Sequence, residues 1–240
     1  MTGPWITATA LLSAVEASTS ATPAAAWWTV LLAYVIGATP CGFLAGKLRG
    51  IDIRQHGSGN IGATNVLRTL GKPIGITVLV CDVLKGLLPV LLARSVAGPG
   101  GSVIAIAAAI AAILGHNYTF WLGFKGGKGI ATSAGAIAPL IPLPFAIALG
   151  LWIAGFALSR YVSVASILAA ISLPVSASVQ MLRAGAWDVP LLVFTLFLAT
   201  MATWRHRTNI QRLCRGEENR FEPGKKKQPS PTPSENPPAA

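Results

Sequence analysis

The sequence predicts an all-α integral membrane protein, built as a bundle of seven transmembrane helices. Hydrophobic residues make up 52% of the 240 residues and charged residues only 11%, whereas an ordinary soluble domain has about 25% charged residues. The apolar residues form long runs, and the basic residues collect between alternate runs. So few charged side chains cannot coat a soluble particle of this size, and so apolar a chain does not stay disordered. A soluble globular protein and a mostly disordered chain are therefore both excluded.

The apolar runs are near the ~20 residues that a helix needs to cross roughly 30 Å of hydrocarbon. We expect seven spans, at 27–46, 73–95, 102–122, 129–142, 143–159, 162–182 and 187–204. The fourth run is short and ends at Pro139 and Pro142, so a protein with six spans is the alternative. In the first run, Gly37, Pro40 and Gly42 predict a kink or close packing against another helix.

The positive charges predict which side of the membrane each loop faces. With seven spans, 16 of the 19 Lys and Arg residues lie on one side, Arg94 and Arg183 lie on the other, and Lys85 is inside the second span. Because basic loops stay in the cytoplasm, we expect the N-terminus outside, the C-terminus in the cytoplasm and a multi-pass protein of the cell (inner) membrane. The bases follow a membrane face, which argues against nucleic acid as a partner and for membrane lipid.

Both ends of the chain differ from the apolar domain that we expect at 27–221. Residues 1–26 are rich in Ala, Ser and Thr and contain no Lys or Arg. They lack the basic start of a signal peptide, and we expect an extracytoplasmic N-terminal extension. Residues 222–240 are rich in Pro, Ser and Lys, which predicts a disordered cytoplasmic tail. Three isolated cysteines without a C-x-x-C pair give no disulfide framework and no zinc site, and we expect neither a metal nor a cofactor.

The loop between the first two spans concentrates glycines and hydrogen-bond donors. Glycines let a backbone approach a ligand closely, and the planar fork of an arginine suits phosphate. The alternative interpretation is a glycine-rich turn with helix caps. The candidate ligands in this loop are Ser58, Asn60, Thr64, Asn65 and Arg68.

A second cluster, Lys125-Gly126-Gly127-Lys128-Gly129, stands at the start of the fourth run. Backbone N–H groups, a helix N-terminus and two ammonium groups together predict an anion nest that would hold phosphate. The alternative is that Lys125 and Lys128 serve only the charge asymmetry of the loops.

A third polar cluster directly follows the last span. If this segment is helical, His206 and Asn209 share one face because they are three residues apart. Arg205, Arg212 and Glu217 are then expected to face lipid headgroups or water. The alternative for His206 is a purely structural role.

Asp82 and Lys85 stand three residues apart inside the second span, so they can pair on one face of a helix. An unpaired charge at the centre of a bilayer costs ~2.5–3.5 kcal/mol on insertion scales. The pair either holds helices together or completes the polar site, and the sequence leaves both interpretations open.

The three clusters resemble the bacterial membrane glycerol-3-phosphate acyltransferases that use acyl phosphate as donor, often called PlsY. The resemblance covers residues 28–220 and rests on 58–68, on 115–116 with 124–129, and on 206–217. It implies a seven-helix fold with the active site facing the cytoplasm. It also implies that acyl phosphate acylates sn-glycerol 3-phosphate, without acyl-CoA or metal. The products would be 1-acylglycerol 3-phosphate and phosphate, in the first acylation of phospholipid synthesis.

The resemblance also assigns roles to residues. The catalytic residues would be Lys128, Arg68 and His206. The substrate-binding residues would be Ser58, Asn60, Thr64, Asn65, Lys125, Ser163 and Asn209. No histidine has an aspartate five positions on, so the His-x4-Asp pair of other acyltransferases is missing. The proton of the attacking hydroxyl then passes either to His206 or to the leaving phosphate. We favour the phosphate, because acyl phosphate is a mixed anhydride with a good leaving group and needs less help from a base than an ester does.

Two other classes of protein stay open at this point. A small anion transporter fits a basic cytoplasmic mouth with a charged pair inside the membrane. Against it, polar residues are scarce in the spans and no inverted repeat is found. A membrane scaffold predicts that changes in the three clusters are harmless.

Overall fold

The computed structural model describes residues 23–221, and the regular secondary structure of that range is helical. The expected all-α class is therefore confirmed, while residues 1–22 and the predicted tail at 222–240 lie outside the described residues. The α-helices are α1 (Trp28–Gly37), α2 (Cys41–Lys47), α3 (Ala63–Leu70), α4 (Lys72–Ala97), α5 (Ser102–Asn117), α6 (Ile130–Ile137), α7 (Pro142–Ser159), α8 (Val162–Ala184), α9 (Val189–Arg205) and α10 (Arg207–Cys214). Short 3₁₀ helices occupy Pro23–Ala26, Ile53–Gln55 and Phe120–Leu122.

Several helices are long and apolar enough to cross a membrane. Within the described residues, five segments pass that test: Trp28–Lys47, Lys72–Ala97, Ser102–Leu122, Pro142–Ser159 and Val162–Ala184. The pair α9 and α10 makes a sixth if it counts as one span, although the two helices meet at 54°. The expected fourth span differs most, because α6 has eight residues and is only about 12 Å long at 1.5 Å per residue. It is short because the helix ends at Ile137, where a turn at 138–140 precedes the next helix at Pro142.

The distribution of side chains is typical of a helix bundle embedded in a lipid bilayer. Large apolar residues point outwards, with Leu31 73% and Leu158 85% exposed. Small residues fill the helix contacts, and Ala33, Ala108 and Ala112 are fully buried. Because lipid tails are as apolar as leucine, small residues that let backbones approach are what brings such helices together. The chain is therefore an integral membrane protein that crosses the bilayer several times.

The first span is broken at Pro40, as its sequence predicts. At the break between α1 and α2, the Thr39 carbonyl accepts from the Cys41 N–H at 3.0 Å and from Lys85 Nζ at 2.7 Å. Gly37 lies directly against the backbone of Ala112, where a Cβ atom would overlap the Ala112 carbonyl. The kink and the close packing are both confirmed.

The connections between helices collect at two ends of the bundle. At one end, the 98–101 turn, Leu140 and Asp188 line a cavity of about 540 Å³, and Arg94 donates to the Pro139 carbonyl. At the other end, the loops that precede α3 and α6 meet α10 around a second cavity of about 310 Å³. The three polar clusters of the sequence are therefore brought to the same end of the molecule.

Candidate active site

The loop at 51–62 is shaped by one side chain from the helix that follows it. Asn65 is 3% exposed, and its Oδ1 accepts from the Ser58 N–H at 2.9 Å. Its Nδ2 lies 2.8 to 3.2 Å from the carbonyl oxygens of Ile53, His56 and Asn60. Asn65 is therefore bound to loop backbone on all sides, and its amide shapes the loop where we expected it to bind substrate.

This loop forms one wall of the 310 Å³ cavity. The residues that line the cavity are Arg54, Ser58, Gly59, Asn60, Ile61, Lys125, Gly126, Lys128, Thr208 and Arg212. Four of them are cationic, and phosphate groups carry about −1.5 to −2 charges each at neutral pH. Arg54 pairs with Asp52 and Arg212 pairs with Glu218, so Lys125 and Lys128 give the cavity its net positive charge, which suits a phosphorylated ligand.

A hydrogen-bond network fixes the lysine at the back of the cavity. Lys128 Nζ donates to Asn209 Oδ1, and Asn209 Nδ2 donates to Glu218 Oε1 at 2.6 Å. The same carboxylate accepts from Ser163 Oγ at 2.9 Å and from Arg212 Nε at 2.8 Å. Because Glu218 accepts from all three, it orients the ammonium of Lys128 through Asn209.

Glu218 belongs to residues 216–221, a segment called the C-terminal strap below, and the strap is held in place by its contacts with the rest of the bundle. The Arg68 guanidinium donates to the Asn219 carbonyl at 3.1 Å, and the Phe221 N–H donates to the Arg160 carbonyl at 2.9 Å. The ring of Phe221 also packs edge-on against Phe156, with 5.5 Å between centroids. The strap thus ties the start of α10, the end of α7 and Arg68 into one site.

The glycines of the 125–129 loop differ from the anion nest predicted from the sequence. The N–H groups of Gly126 and Gly127 donate to the carbonyls of Asn117 and His116 at 3.1 and 3.0 Å. Their carbonyls accept from the Arg205 guanidinium, at 2.9 Å for Gly126 and 3.1 Å for Gly127. The prediction of free amides at these two glycines is therefore wrong, because both peptides are already bound on each side. What this loop offers to an anion is the charge of its lysines.

Burial changes the electrostatics of two cationic groups here. Burial lowers the pKa of the Lys128 ammonium to about 8, with the nearby positive charges of Arg212, Arg205 and Arg68 acting in the same direction and Glu218 opposing them. Burial likewise lowers the pKa of the Arg68 guanidinium. A buried cation with few counter-charges gains by binding an anion, which replaces the water that it lost.

His206 stands at the bend between α9 and α10 and is 3% exposed. Its Nδ1 lies 2.8 Å from the Ala202 carbonyl. Because a carbonyl can only accept, Nδ1 carries the hydrogen, and Nε2 of the neutral ring keeps its lone pair. The bend after His206 directs Thr208, Asn209 and Arg212 towards the cavity and its network.

The predicted site residues divide into three groups. Those that line the cavity are Ser58, Asn60, Lys125 and Lys128. Those tied to it through the strap and its carboxylate are Arg68, Ser163 and Asn209. Thr64, Asn65 and His206 do not line the cavity. Thr64 is half-buried in the first turn of α3, Asn65 faces the loop backbone, and His206 is buried at the bend before α10 with Nδ1 on the Ala202 carbonyl.

Sequence reasoning missed several residues of this site. Arg212 was expected to face headgroups or water but pairs with Glu218 and lines the cavity. Arg205 was expected there too and instead clamps the glycine loop. Glu218 itself was passed over for its exposed neighbour Glu217. Glu218 reaches the site because the chain folds back after α10, and no local sequence pattern predicts that fold.

Comparisons with known proteins place this chain in a family. Residues 27–216 match the family described as "Glycerol-3-phosphate acyltransferase". Relatives of that name from Desulforudis audaxviator and Geobacter sulfurreducens are each 48% identical over 191 residues, which is 79% of this chain and 92% and 94% of the respective relative.

Two solved structures are also similar to this chain. They are the glycerol 3-phosphate form and the lysophosphatidic acid form of PlsY, an integral membrane glycerol 3-phosphate acyltransferase. Both are 38% identical and cover 82% of this chain and 96% of theirs, with TM-scores of 0.75 and 0.72. The chain belongs to the glycerol-3-phosphate acyltransferase family.

Proposed function

We propose that this protein transfers an acyl group from acyl phosphate to sn-glycerol 3-phosphate. The products are 1-acylglycerol 3-phosphate, which is lysophosphatidic acid, and inorganic phosphate, in the first acylation of phospholipid synthesis. The observation that carries the proposal is the half-buried Lys128, held by Asn209 and Glu218 at the back of a cavity lined by three further cations. Both substrates bring a phosphate to that cavity. The two forms of the related solved structure, with glycerol 3-phosphate and lysophosphatidic acid, support the acceptor and the product.

The reaction needs charge stabilisation more than a strong base. The C1 hydroxyl oxygen of glycerol 3-phosphate attacks the acyl carbonyl carbon and forms the new ester bond. The bond from that carbon to the phosphate oxygen breaks, and phosphate leaves with the electron pair. Negative charge grows on the carbonyl oxygen and on the leaving phosphate, where the ammonium of Lys128 and the guanidinium of Arg68 stabilise it.

The proton of the attacking hydroxyl goes to the leaving phosphate in this proposal. The alternative acceptor is Nε2 of His206, which keeps its lone pair. His206→Ala distinguishes the two, because substantial kcat at saturating substrates supports transfer to phosphate. Near-complete loss of kcat, with unchanged thermal stability, would make His206 the base.

We also propose that the chain crosses the inner membrane seven times, with its N-terminus outside and this site facing the cytoplasm. The charge distribution supports the count, since seven spans put 16 of the 19 Lys and Arg residues on one side of the membrane. The concentration of basic residues at the cavity end supports the orientation. Reporter fusions at each terminus test it, and two termini on the same side would contradict it.

The donor test decides the function. Purified protein in detergent is given glycerol 3-phosphate with either acyl phosphate or acyl-CoA, and lysophosphatidic acid is measured. We expect product with acyl phosphate, one phosphate released per product, and none above background with acyl-CoA. Product from acyl-CoA alone would overturn the proposed donor, and no product from either would overturn the enzyme assignment. Because detergent removes the second compartment, a transporter would release no phosphate here.

A further inference from the structure

Behind the site lies a charged cluster that the reaction proposed above does not use. Asp82 and Lys85 on α4 form an ion pair, with 2.8 Å between Oδ1 and Nζ. His116 on α5 brings its Nδ1 to 3.7 Å from the same Asp82 oxygen. The three side chains are 2, 5 and 4% exposed, respectively. Lys85 also donates to the Thr39 carbonyl, so the predicted pairing of Asp82 with Lys85 is confirmed.

His116, the third member of this cluster, packs directly against the 125–129 loop. The His116 carbonyl accepts the N–H of Gly127 at 3.0 Å. The imidazole ring lies flush against the same glycine, where a Cβ atom would overlap Nε2. Lys128 follows directly. A rotation of the His116 ring would therefore displace the backbone from which the site lysine projects.

We propose that Asp82 is a positioning residue that orients the His116 ring, and that this ring fixes the position of the Gly126–Lys128 backbone relative to the cavity. In the described part of the chain, His116 Nδ1 makes no hydrogen bond, so the Asp82 carboxylate is the charge that faces it. A carboxylate at that position favours the tautomer with hydrogen on Nδ1, since it stabilises a donor and repels a lone pair. Lys85 balances the charge and anchors the carboxylate.

The competing account is that the ion pair only joins α4 to the break in the first span through Thr39. Removing one partner leaves a buried unpaired charge in either account, so single variants of the pair do not separate them. The double variant Asp82→Asn with Lys85→Met removes both charges at nearly constant volume. The double variant loses the Lys85 contact with Thr39 in both accounts. If the pair only joins helices, the double variant therefore keeps a wild-type KM and wild-type exchange in 125–129.

The first experiment compares that double variant with wild type in two readouts. Amide hydrogen exchange of the 125–129 peptide reports the loop and does not depend on turnover. Steady-state kinetics report the KM for glycerol 3-phosphate separately from kcat. We expect a melting temperature close to wild type, faster exchange in 125–129, and a KM raised about tenfold, since a small displacement of a positioned group costs up to about a hundredfold. Asp188→Asn, an exposed helix cap at the other end, is the control.

Wild-type exchange and wild-type KM in the double variant would overturn the positioning role. His116→Gln keeps the ion pair and gives a second test that survives poor folding of the double variant. If Asp82 acts through His116, adding the neutral pair Asp82→Asn with Lys85→Met to His116→Gln changes KM and loop exchange little further, and additive effects would contradict the inference. The inference rests on the proposed function for its kinetic arm. The exchange measurement does not depend on turnover. An inactive wild type would therefore refute the proposed function, while the exchange measurement would still decide the positioning role.

Discussion

The two glycine-rich loops of the site look alike in sequence but are held in different ways. The 51–62 loop is closed by Asn65, which reaches back 5 to 12 residues to the backbone. The 125–129 loop is closed by the Arg205 guanidinium, from 78 to 79 residues away, and by the carbonyls of His116 and Asn117. The first loop is a local structure, whereas the second exists only once α5 and α9 have packed.

This difference matters for how each loop serves an anion. In the first loop, Gly57 has a positive φ of 61°, and a Cβ atom there would overlap Asn65 Oδ1. That loop presents small polar groups to the cavity. The second loop has bound its glycine peptides internally and presents Lys128, whose position depends on remote contacts. Changes that act on one loop and spare the other therefore test the comparison.

The largest effect is expected from removing the cation of the second loop while sparing its backbone. Lys128→Ala should lower kcat/KM by about 10²–10³-fold, the loss typical for one group that stabilises developing charge. Steady-state phosphate release measures it. Lys72→Ala removes an exposed lysine and should have little effect. Equal activity in both variants would remove Lys128 from the site.

The next effect comes from releasing the second loop through its remote clamp. Arg205→Met removes hydrogen bonds to the carbonyls of Gly126 and Gly127, and bonds with a charged partner contribute about 1.5–3 kcal/mol each. We expect kcat/KM to fall about thirtyfold and hydrogen exchange to rise in 125–129 while 56–62 stays protected. Arg183→Met, at the far end of α8, is the matched control. Faster exchange in both loops would contradict their independent support.

A smaller effect is expected from the local loop. Asn65→Ala removes neutral hydrogen bonds of about 0.5–1.5 kcal/mol each, and water can reach the freed His56 carbonyl because residues 54–59 are exposed. We expect kcat/KM to fall about tenfold, with faster exchange confined to 56–62. Gln180→Ala removes an exposed amide on α8 and serves as the control. Exchange that rises in 125–129 as well would show that the first loop also supports the second.

The same contrast explains what the sequence could predict. The apolar runs predicted the helical membrane class, because length and hydropathy are properties of a continuous segment. The kink at Pro40 and the pairing of Asp82 with Lys85 were equally local and were confirmed. Motif positions such as Lys128 were found because residue type and spacing are visible in one segment.

The remainder depended on contacts between distant segments. The amides of Gly126 and Gly127 were expected to be free, because no pattern tells which carbonyl will pack beside them. Arg205 was placed towards lipid by helix phase alone, and the bend at His206 changes that phase. Glu218 enters the site only because the strap folds back over Arg68. Such contacts are properties of the packed bundle, and single-segment patterns do not contain them.

The smallest expected effect is a pH dependence that belongs to the second loop alone. The pKa of Lys128 is about 8, so its ammonium is present below that pH and is lost as the pH rises through it. A phosphate monoester is already largely dianionic above its second pKa of about 6, and hence the substrate charge changes little over this range. Between pH 7 and 8.5 the charged fraction falls about fourfold, and kcat/KM, which reports the free enzyme, should fall equally. Lys128→Arg retains its charge because the pKa of arginine exceeds about 12. Its weaker activity should therefore be flat over the same range after correction for spontaneous hydrolysis of the acyl phosphate. An identical alkaline decline in Lys128→Arg would assign the titration to another group and leave Lys128 charged throughout.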